Sequence, residues 1–103
     1  MLLVSTDFVT GYRLKTLSIV KGNVIFKKSF GKDVAASFRT FVNGEMKEYA
    51  GIMEEARTLA AERMTAEAEK LGADAVVNVR YETASIMQGA IEVLIYGTAV
   101  KYI

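Results

Sequence analysis

Carboxylates are the strongest ligands and bases that this sequence offers, because its 103 residues include no cysteine and no histidine. Acidic residues lie close together at three places: Glu45 and Glu48, Glu54 and Glu55, and Glu67 and Glu69. Hard cations such as magnesium and calcium bind carboxylates, yet none of these spacings matches an EF-hand loop. A solvated helix face with ion pairs three residues apart, such as Glu54 with Arg57, explains the pattern without a ligand. An enzyme with a carboxylate-based site at a subunit interface stays open as an alternative function.

The missing residue types exclude several kinds of chemistry. Without cysteine and histidine the chain has no disulfides, no thiolate or imidazole metal site, and no catalysis by either side chain. The eight glycines are scattered and form no phosphate-binding fingerprint. We therefore predict no catalytic residue, no metal ligand and no cofactor.

Five polar residues could instead line a pocket where subunits meet. They are Thr6, Asp7, Arg39, Tyr49 and Arg80. No hydroxyl among them has a histidine partner that would make it a nucleophile, so such a pocket would bind a ligand rather than transform one. Ordinary structural hydrogen bonding is the alternative explanation for the same residues.

Charge is nearly balanced, with 13 basic and 12 acidic residues and a net charge of +1. The stretch between Asp7 and Asp33 contains basic residues and no acid, and Phe26 and Phe30 lie among its lysines. A β-ribbon that binds nucleic acid has this pattern, but lysines also prevent exposed strand edges from pairing. Since the net charge offers little attraction to nucleic acid or to anionic membranes, we expect neither as a partner.

The sequence also contains nothing typical of a targeting or membrane segment. The first seven residues lack the basic start of a signal peptide, and the apolar stretch from Ile91 to Ile103 is interrupted and too short to span a bilayer. We therefore expect a cytoplasmic protein. The length fits one domain, which would cover residues 1–103.

Strands are predicted near both ends of the chain, where apolar and polar residues alternate. The alternating segments are residues 12–21, 24–30, 75–82 and 91–103. Gly22 and Asn23 interrupt the first alternation as a turn or a bulge would, and a turn region is expected from Ser85 to Gly89.

Helices are expected between these strands. A short one begins at Asp33, a good N-cap, and ends near Asn43 and Gly44. A long one runs from about Glu45 to Leu71, with apolar residues spaced at threes and fours. These residues are Met46, Tyr49, Met53, Ala56, Ala60, Met64, Ala68 and Leu71.

The phase of the long helix sets its buried face. Met53, Ala60 and Met64 should face the sheet, and Gly72 should end the helix in a left-handed cap. Gly51 costs about 1 kcal/mol relative to alanine inside a helix, so we expect close packing or a bend there.

The last predicted strand is apolar on both faces. Ile91, Val93 and Ile95 share one face, and the other carries Leu94, Tyr96, Val100 and Tyr102. One helix layer cannot cover both faces of an antiparallel sheet, so either a second layer of the same chain or a neighbouring subunit covers the second face, and we expect a neighbouring subunit. The predicted fold class is therefore α+β: an antiparallel sheet packed against one long helix plus a short helix, as a single-domain, ring-forming subunit.

Four motifs carry a resemblance to a known family. They are Ser5-Thr6-Asp7 with Gly11-Tyr12, Ile19-Val20-Lys21-Gly22, the run from Gly72 to Tyr81, and Gly97-Thr98-Ala99-Val100. With these motifs the chain resembles the YbjQ-like family of small uncharacterised bacterial and archaeal proteins, which carries a heavy-metal-binding label. The resemblance implies an α+β subunit in a homopentamer, with short strands joining neighbouring subunits, and no established reaction.

The heavy-metal label and the composition point in different directions. Soft metals prefer thiolate or imidazole ligands, and the chain has neither. We therefore expect a non-enzymatic, oligomeric binding or structural module, a homo-oligomer that takes a small ligand at most. The carboxylate-based enzyme stays as the alternative.

Overall fold

One helix and four strands form the fold in the computed structural model, which describes residues 1–27 and 47–103. In chain order the elements are β1 (Leu2–Leu3), β2 (Leu14–Lys27), α1 (Lys47–Lys70), β3 (Ala75–Met87) and β4 (Ala90–Tyr102). The predicted short helix that begins at Asp33 lies outside the described residues. Within those residues, no helix combines the length and the apolar character needed to cross a membrane.

The sheet has the strand order β1-β3-β4-β2, with β4 antiparallel to both β3 and β2. The short strand β1 pairs in parallel with β3, through Leu2 with Ala75 and Leu3 with Val76. The sheet is therefore mixed, and the expectation of a purely antiparallel sheet is wrong at β1. A parallel pair needs a long crossover connection, and the chain between β1 and β3, which includes β2 and α1, supplies it.

The strand β2 is continuous where a turn or a bulge was expected. Gly22 and Asn23 pair with Ile95 and Leu94 in regular register, so they do not interrupt the strand. The irregularity lies earlier, between Thr16 and Ser18. Gly22 is needed for another reason: a Cβ atom there would overlap the carbonyl oxygen of Ala60 in α1.

The main core lies between α1 and the face of the sheet that we call the inner face. Ala56, Ala60, Met64 and Ala68 of α1 are buried, and Met53 packs against the same cluster. The sheet contributes buried side chains from β2, β3 and β4, namely Val20, Val76, Val93, Ile95 and Ala99. The predicted phase of the long helix is confirmed.

A second, smaller core lies on the opposite face of the sheet, the outer face. The N-terminal segment covers one end of this face with Val9, which packs against Ala75, Val77 and Val100. Val100 is 2% exposed, so the prediction that a neighbouring subunit must cover it is wrong. The alternative, cover from the same chain, is correct at this end of the face, and the N-terminal segment supplies it.

The helix α1 ends as predicted. Gly72 has a φ of 76°, its N–H donates to the carbonyl of Glu69, and the N–H of Ala73 donates to the carbonyl of Ala68. This pair of hydrogen bonds is the Schellman motif. By contrast, Gly51 is exposed, and no described heavy atom lies within 4 Å of a Cβ placed there, so the expected close packing at Gly51 is wrong.

The hairpin between β3 and β4 has a tighter turn than expected. Met87 pairs with Ala90, so the connection consists of Gln88 and Gly89 rather than the region from Ser85 to Gly89. Gly89 has a φ of 79°, a left-handed conformation that glycine adopts without strain. The hairpin consequently extends as paired strands almost to its tip.

A charge placed at Ala60 tests the buried face of α1. Ala60 is fully buried, so Ala60→Glu should abolish the cooperative thermal unfolding transition followed by circular dichroism. Glu62 is exposed, so Glu62→Ala should change the free energy of unfolding by about 0.5 kcal/mol at most. Equal melting curves for the two variants would contradict the helix phase.

Two glycine-to-alanine substitutions should change stability in opposite directions. Gly22→Ala places a methyl group 2.5 Å from the backbone nitrogen of Met64, so we expect a loss of about 3 kcal/mol in the free energy of unfolding. Gly51→Ala adds a methyl group in open space within a helix, so we expect a gain of about 0.5–1 kcal/mol. Denaturant titration measures both, and shifts of the same sign would contradict the packing described for β2 and α1.

Candidate functional site

The N-terminal segment meets β3 at a bulge. Asn78 has a φ of 54°, and the pairing of β3 with β4 shifts between Val77 and Arg80. Asparagine tolerates this left-handed conformation better than most residues. The Asn78 N–H donates to the carbonyl of Thr6 at 2.8 Å, so the bulge ties the segment to the edge of β3.

Arg80 strengthens this junction. Its Nη1 atom donates to the carbonyl of Ser5 at 3.1 Å and to that of Val79 at 3.0 Å. The hydroxyl of Thr6 donates to the carbonyl of Phe8 at 2.7 Å. The structure thus brings the predicted site residues Thr6 and Arg80 close together through structural hydrogen bonds, with the exposed Asp7 next to them.

The other two predicted site residues are not part of this junction. Arg39 lies outside the described residues. Tyr49 belongs to the first turn of α1, which packs over β2 and β4 on the inner face, and its side chain is not among those described. That all five residues line one pocket where subunits meet therefore stays a prediction.

The N-terminal segment forms an open groove of about 570 Å³ that sequence reasoning missed. Its lining consists of Leu2, Val4, Thr6, Phe8, Val9, Thr10, Tyr12 and Tyr102. Tyr12 stacks on Tyr102 with ring centroids 3.9 Å apart, and Phe8 is 57% exposed. The volume falls within the range of small-molecule sites, roughly 300–1,000 Å³. The lining includes aromatic rings and hydroxyls but no carboxylate or amine, so it suits binding rather than acid–base chemistry.

A second, smaller groove lies between α1 and β2. It has a volume of about 180 Å³, and its lining is Val24, Phe26, Ile52, Glu55, Ala56 and Leu59. Its lining includes no described residue of β4. The groove therefore lies on the inner face, between α1 and the edge of the sheet that β2 forms. Ile52 and Leu59 keep about two-fifths of their surface exposed there.

The start of the motif from Gly72 to Tyr81, Gly72-Ala73-Asp74, builds the corner between α1 and β3. The backbone N–H of Asp74 donates to the carbonyl of Val100, and its Oδ2 atom accepts from the backbone N–H of Tyr102, both at 2.8 Å. The carbonyl of Gly72 accepts from Nζ of Lys101. These residues hold the end of β4 in place, which is a structural role.

Gly97, in the last motif, is also explained by packing. A Cβ atom there would lie 2.7 Å from Cγ1 of Val76 and 2.8 Å from the carbonyl oxygen of Val77. The glycine therefore lets β4 approach β3 closely just before the Asn78 bulge.

The carboxylates are dispersed in the described part of the chain. No group of three or more Asp, Glu, His or Cys residues there lies close enough together to hold a metal ion. Arg57 and Glu54 form the predicted ion pair at 2.9 Å on the exposed side of α1. This supports a solvated helix face as the reason for the paired acids.

Comparisons with curated proteins show close relatives along the whole chain. A UPF0145 protein of Clostridium novyi is 54% identical over 101 residues, which cover 98% of both chains. A UPF0145 protein of Alkaliphilus metalliredigens is 48% identical over 103 residues and covers both chains completely. Another from Thermotoga maritima is 53% identical over 102 residues, with 98% of this chain and 96% of that one covered.

A comparison with solved structures supports the fold. A crystal structure of a protein of unknown function, assigned to the DUF74 family and from Pediococcus pentosaceus, matches with a TM-score of 0.72. The match covers 100% of this chain and 98% of that one at 13% identity, so it concerns the fold alone. A family model described as "Putative heavy-metal-binding" matches residues 1–103. The chain therefore belongs to the YbjQ family, whose characteristic motifs it carries from end to end.

Proposed function

We propose that this protein is a non-enzymatic binding or structural module whose copies assemble into a closed ring. One observation carries the proposal: among the described residues, nothing covers the outer face of the sheet beyond the N-terminal segment, and large apolar side chains lie exposed there among charged ones. Ile19 is 73% and Ile25 is 56% exposed on β2, and the half-buried Leu94 and Tyr96 lie beside them on β4.

The energetics favour burial of this surface. Full burial of a large apolar side chain contributes about 1.5–3 kcal/mol before the costs of association. Monomeric proteins rarely expose a contiguous apolar patch of more than a few hundred Å². A second copy is the partner that is always present at matching concentration, so we assign this surface to contacts between copies.

A ring follows if unlike surfaces meet. A head-to-tail contact either closes into a ring or continues as an open filament. The resemblance to the YbjQ-like family implies a homopentamer, so we propose five-fold closure. The open groove beside Tyr12 then supplies each copy with one site for a small apolar ligand.

The alternative function, an enzyme with a carboxylate-based site at the subunit interface, has its best candidates in Glu82 and Glu92. Both lie on the outer face, on β3 and β4. However, Nδ2 of Asn23 donates to Glu92 at 3.1 Å, and the hydroxyl of Tyr96 lies 3.5 Å from Glu82. Carboxylates with such neighbours have a structural explanation, which favours the non-enzymatic module.

The donor atoms of this chain do not fit a heavy metal. Soft metals take thiolate, thioether or imidazole ligands, and the chain has no cysteine or histidine. Among the described methionines, Met64 is fully buried and Met53 packs against the same core, while the exposed Met1 and Met87 lie at opposite ends of β3 and cannot share a metal ion. The family's heavy-metal description therefore does not extend to a soft-metal site in this protein.

Metal titration tests this conclusion. Zinc, copper and cadmium should bind with dissociation constants of roughly high micromolar to millimolar, as carboxylate oxygens alone allow. Isothermal calorimetry on protein free of any purification tag measures the affinity. Stoichiometric zinc binding at submicromolar concentration would contradict the conclusion.

Sedimentation at micromolar concentration tests the assembly. The wild type should sediment as an oligomer, and the double variant Ile19→Lys, Ile25→Lys should sediment as a folded monomer, because both side chains are exposed in the single chain. Val100 is unsuitable for this test, since a lysine there would disrupt the chain's own core.

A matched control adds the same charge elsewhere. The variant Thr58→Lys, Ala66→Lys places two lysines on exposed positions of α1 and should keep the size of the wild type. A monomeric wild type, or a β2 double variant that keeps the full size, would contradict the proposed assembly.

A further inference from the structure

We propose that the ring is built by continuing the sheet from one copy to the next, with the edge of β2 paired in parallel with the edge that β3 presents from Arg80 to Met87. This inference rests on the proposed assembly and adds which surfaces meet. Each copy then contributes its β2 edge to one neighbour and its β3 edge to the other.

Both edges are long and unpaired within the described residues. The strand β2 ends the sheet, with β4 as its partner along its length. On the other side, β1 and the N-terminal segment pair with β3 as far as Val79, through its hydrogen bond to Val4. Beyond Val79, β3 has β4 on one side and no described neighbour on the other. Such rows of unpaired backbone groups are templates for another strand.

Charge favours the pairing of unlike edges. On the outer face, β2 carries Lys21 and Lys27 and no acid, whereas the edge of β3 carries Glu82 and also Arg80, whose guanidinium donates to backbone carbonyls of its own chain. If two β2 edges met about a two-fold axis, Lys21 and Lys27 would face the same lysines of the other copy, which is unfavourable. If β2 meets β3, these lysines lie near Glu82 of the next copy. Pairing β2 with β3 therefore offers these lysines a carboxylate, whereas pairing β2 with itself offers them none.

The inner face provides a complementary shape. Tyr81 of β3 points to the inner face, but α1 packs over β2 and β4, so Tyr81 is 50% exposed. The groove between α1 and β2, which includes Val24 and Leu59, opens at the opposite edge of the sheet on the same face. A continued sheet places Tyr81 of one copy against this groove of the next.

The strand directions fit a ring. Because β2 and β3 are each antiparallel to β4, they run parallel to each other within one chain. A rotation about an axis along the strands keeps that direction, so β2 and β3 of adjacent copies are parallel in a ring of three or more copies.

The register of the paired edges follows from the positions of Tyr81 and Val24. Within a chain Tyr81 is level with Gly22, since both pair with Ile95. If β3 of one copy is shifted by two residues along β2 of the next, Tyr81 lies beside Val24. A closed sheet requires such a stagger.

Disulfide cross-linking tests the pairing, because the natural chain has no cysteine. Single-cysteine variants on the outer face would be made at four positions of β2 and two of β3. They are Lys21→Cys, Asn23→Cys, Ile25→Cys and Lys27→Cys on β2, and Glu82→Cys and Ala84→Cys on β3. Each β2 variant is mixed with each β3 variant and oxidised, and covalent dimers are counted by denaturing electrophoresis.

We expect covalent dimers in at least one mixture of a β2 variant with a β3 variant, and none from any variant oxidised alone. A chain that carries both cysteines of the reactive pair should give a ladder of covalent species that ends at the subunit number of the ring. Within one chain β4 separates the two edges by about 10 Å, too far for a disulfide, which needs Cα atoms within about 7 Å.

The results that would overturn the pairing of β2 with β3 differ from the result that would overturn the proposed assembly. Dimers from a β2 variant alone would mean two-fold pairing of β2 and would overturn the inference. An oligomeric wild type without cross-links in any mixture would mean that other surfaces meet, which also overturns it. A monomeric wild type in sedimentation would instead remove the assembly itself. Glu62→Cys, exposed on α1, is the control that should cross-link with no edge variant.

Opposite charges introduced at Leu59 in the groove and at Tyr81 give a second, independent measurement. Leu59→Glu and Tyr81→Lys change side chains that are partly exposed in the single chain, so each variant should fold and lose the oligomer in sedimentation. The double variant should regain the size of the wild type, because each contact then joins the glutamate of one copy to the lysine of the next. Full-size single variants, or a monomeric double variant, would overturn the placement of Tyr81.

Discussion

The close approach of α1 to β2 at Gly22 is the contact on which the rest of the architecture depends. Because Gly22 has no side chain, the helix backbone at Ala60 and Met64 comes directly onto the strand. Small residues on α1, among them Ala56 and Ala68, continue this close packing along the core. The contact holds the helix over β2 and β4, so α1 covers the inner face of β3 only near its start, around Val76, and the residues from Arg80 to Met87 are exposed.

Among the described residues, the sheet extends beyond the helix and the N-terminal segment that cover it. The helix has 24 residues and is about 36 Å long, whereas the 14 residues of β2 span roughly 46 Å. The Cα radius of gyration is 17.0 Å, compared with about 13 Å for a compact chain of this length. The N-terminal segment covers the outer face at one end only, around Val9 and Val100. In this described part of the chain, faces stay uncovered and edges stay unpaired because a single, shorter helix packs at one place on a long hairpin.

Local patterns predicted those parts of the fold that depend on near neighbours in the sequence. The buried face of α1 and its end at Gly72 follow from a 3.6-residue period and a cap, both of which are visible in a few adjacent turns. Gly22 could not be predicted in the same way, because a glycine packed against a helix and a glycine in a turn look alike in the sequence. The cover over Val100 depends on Val9, which lies at the other end of the chain.

In the candidate site, too, patterns of neighbouring residues predict some features, whereas contacts between distant parts of the chain determine the others. Thr6 and Arg80 were expected to lie together and do so, but through backbone carbonyls and the left-handed Asn78, which sequence patterns do not indicate. Gly72, Asp74 and Gly97 belong to the motifs on which the family resemblance rests, yet each is explained by a cap, a strand end or a close strand contact. These motif residues therefore have roles in the architecture of one subunit. In the proposed assembly the exposed apolar side chains of the sheet would contact another copy, and such a contact depends on two chains, so the sequence of one chain shows the apolar residues without showing what covers them.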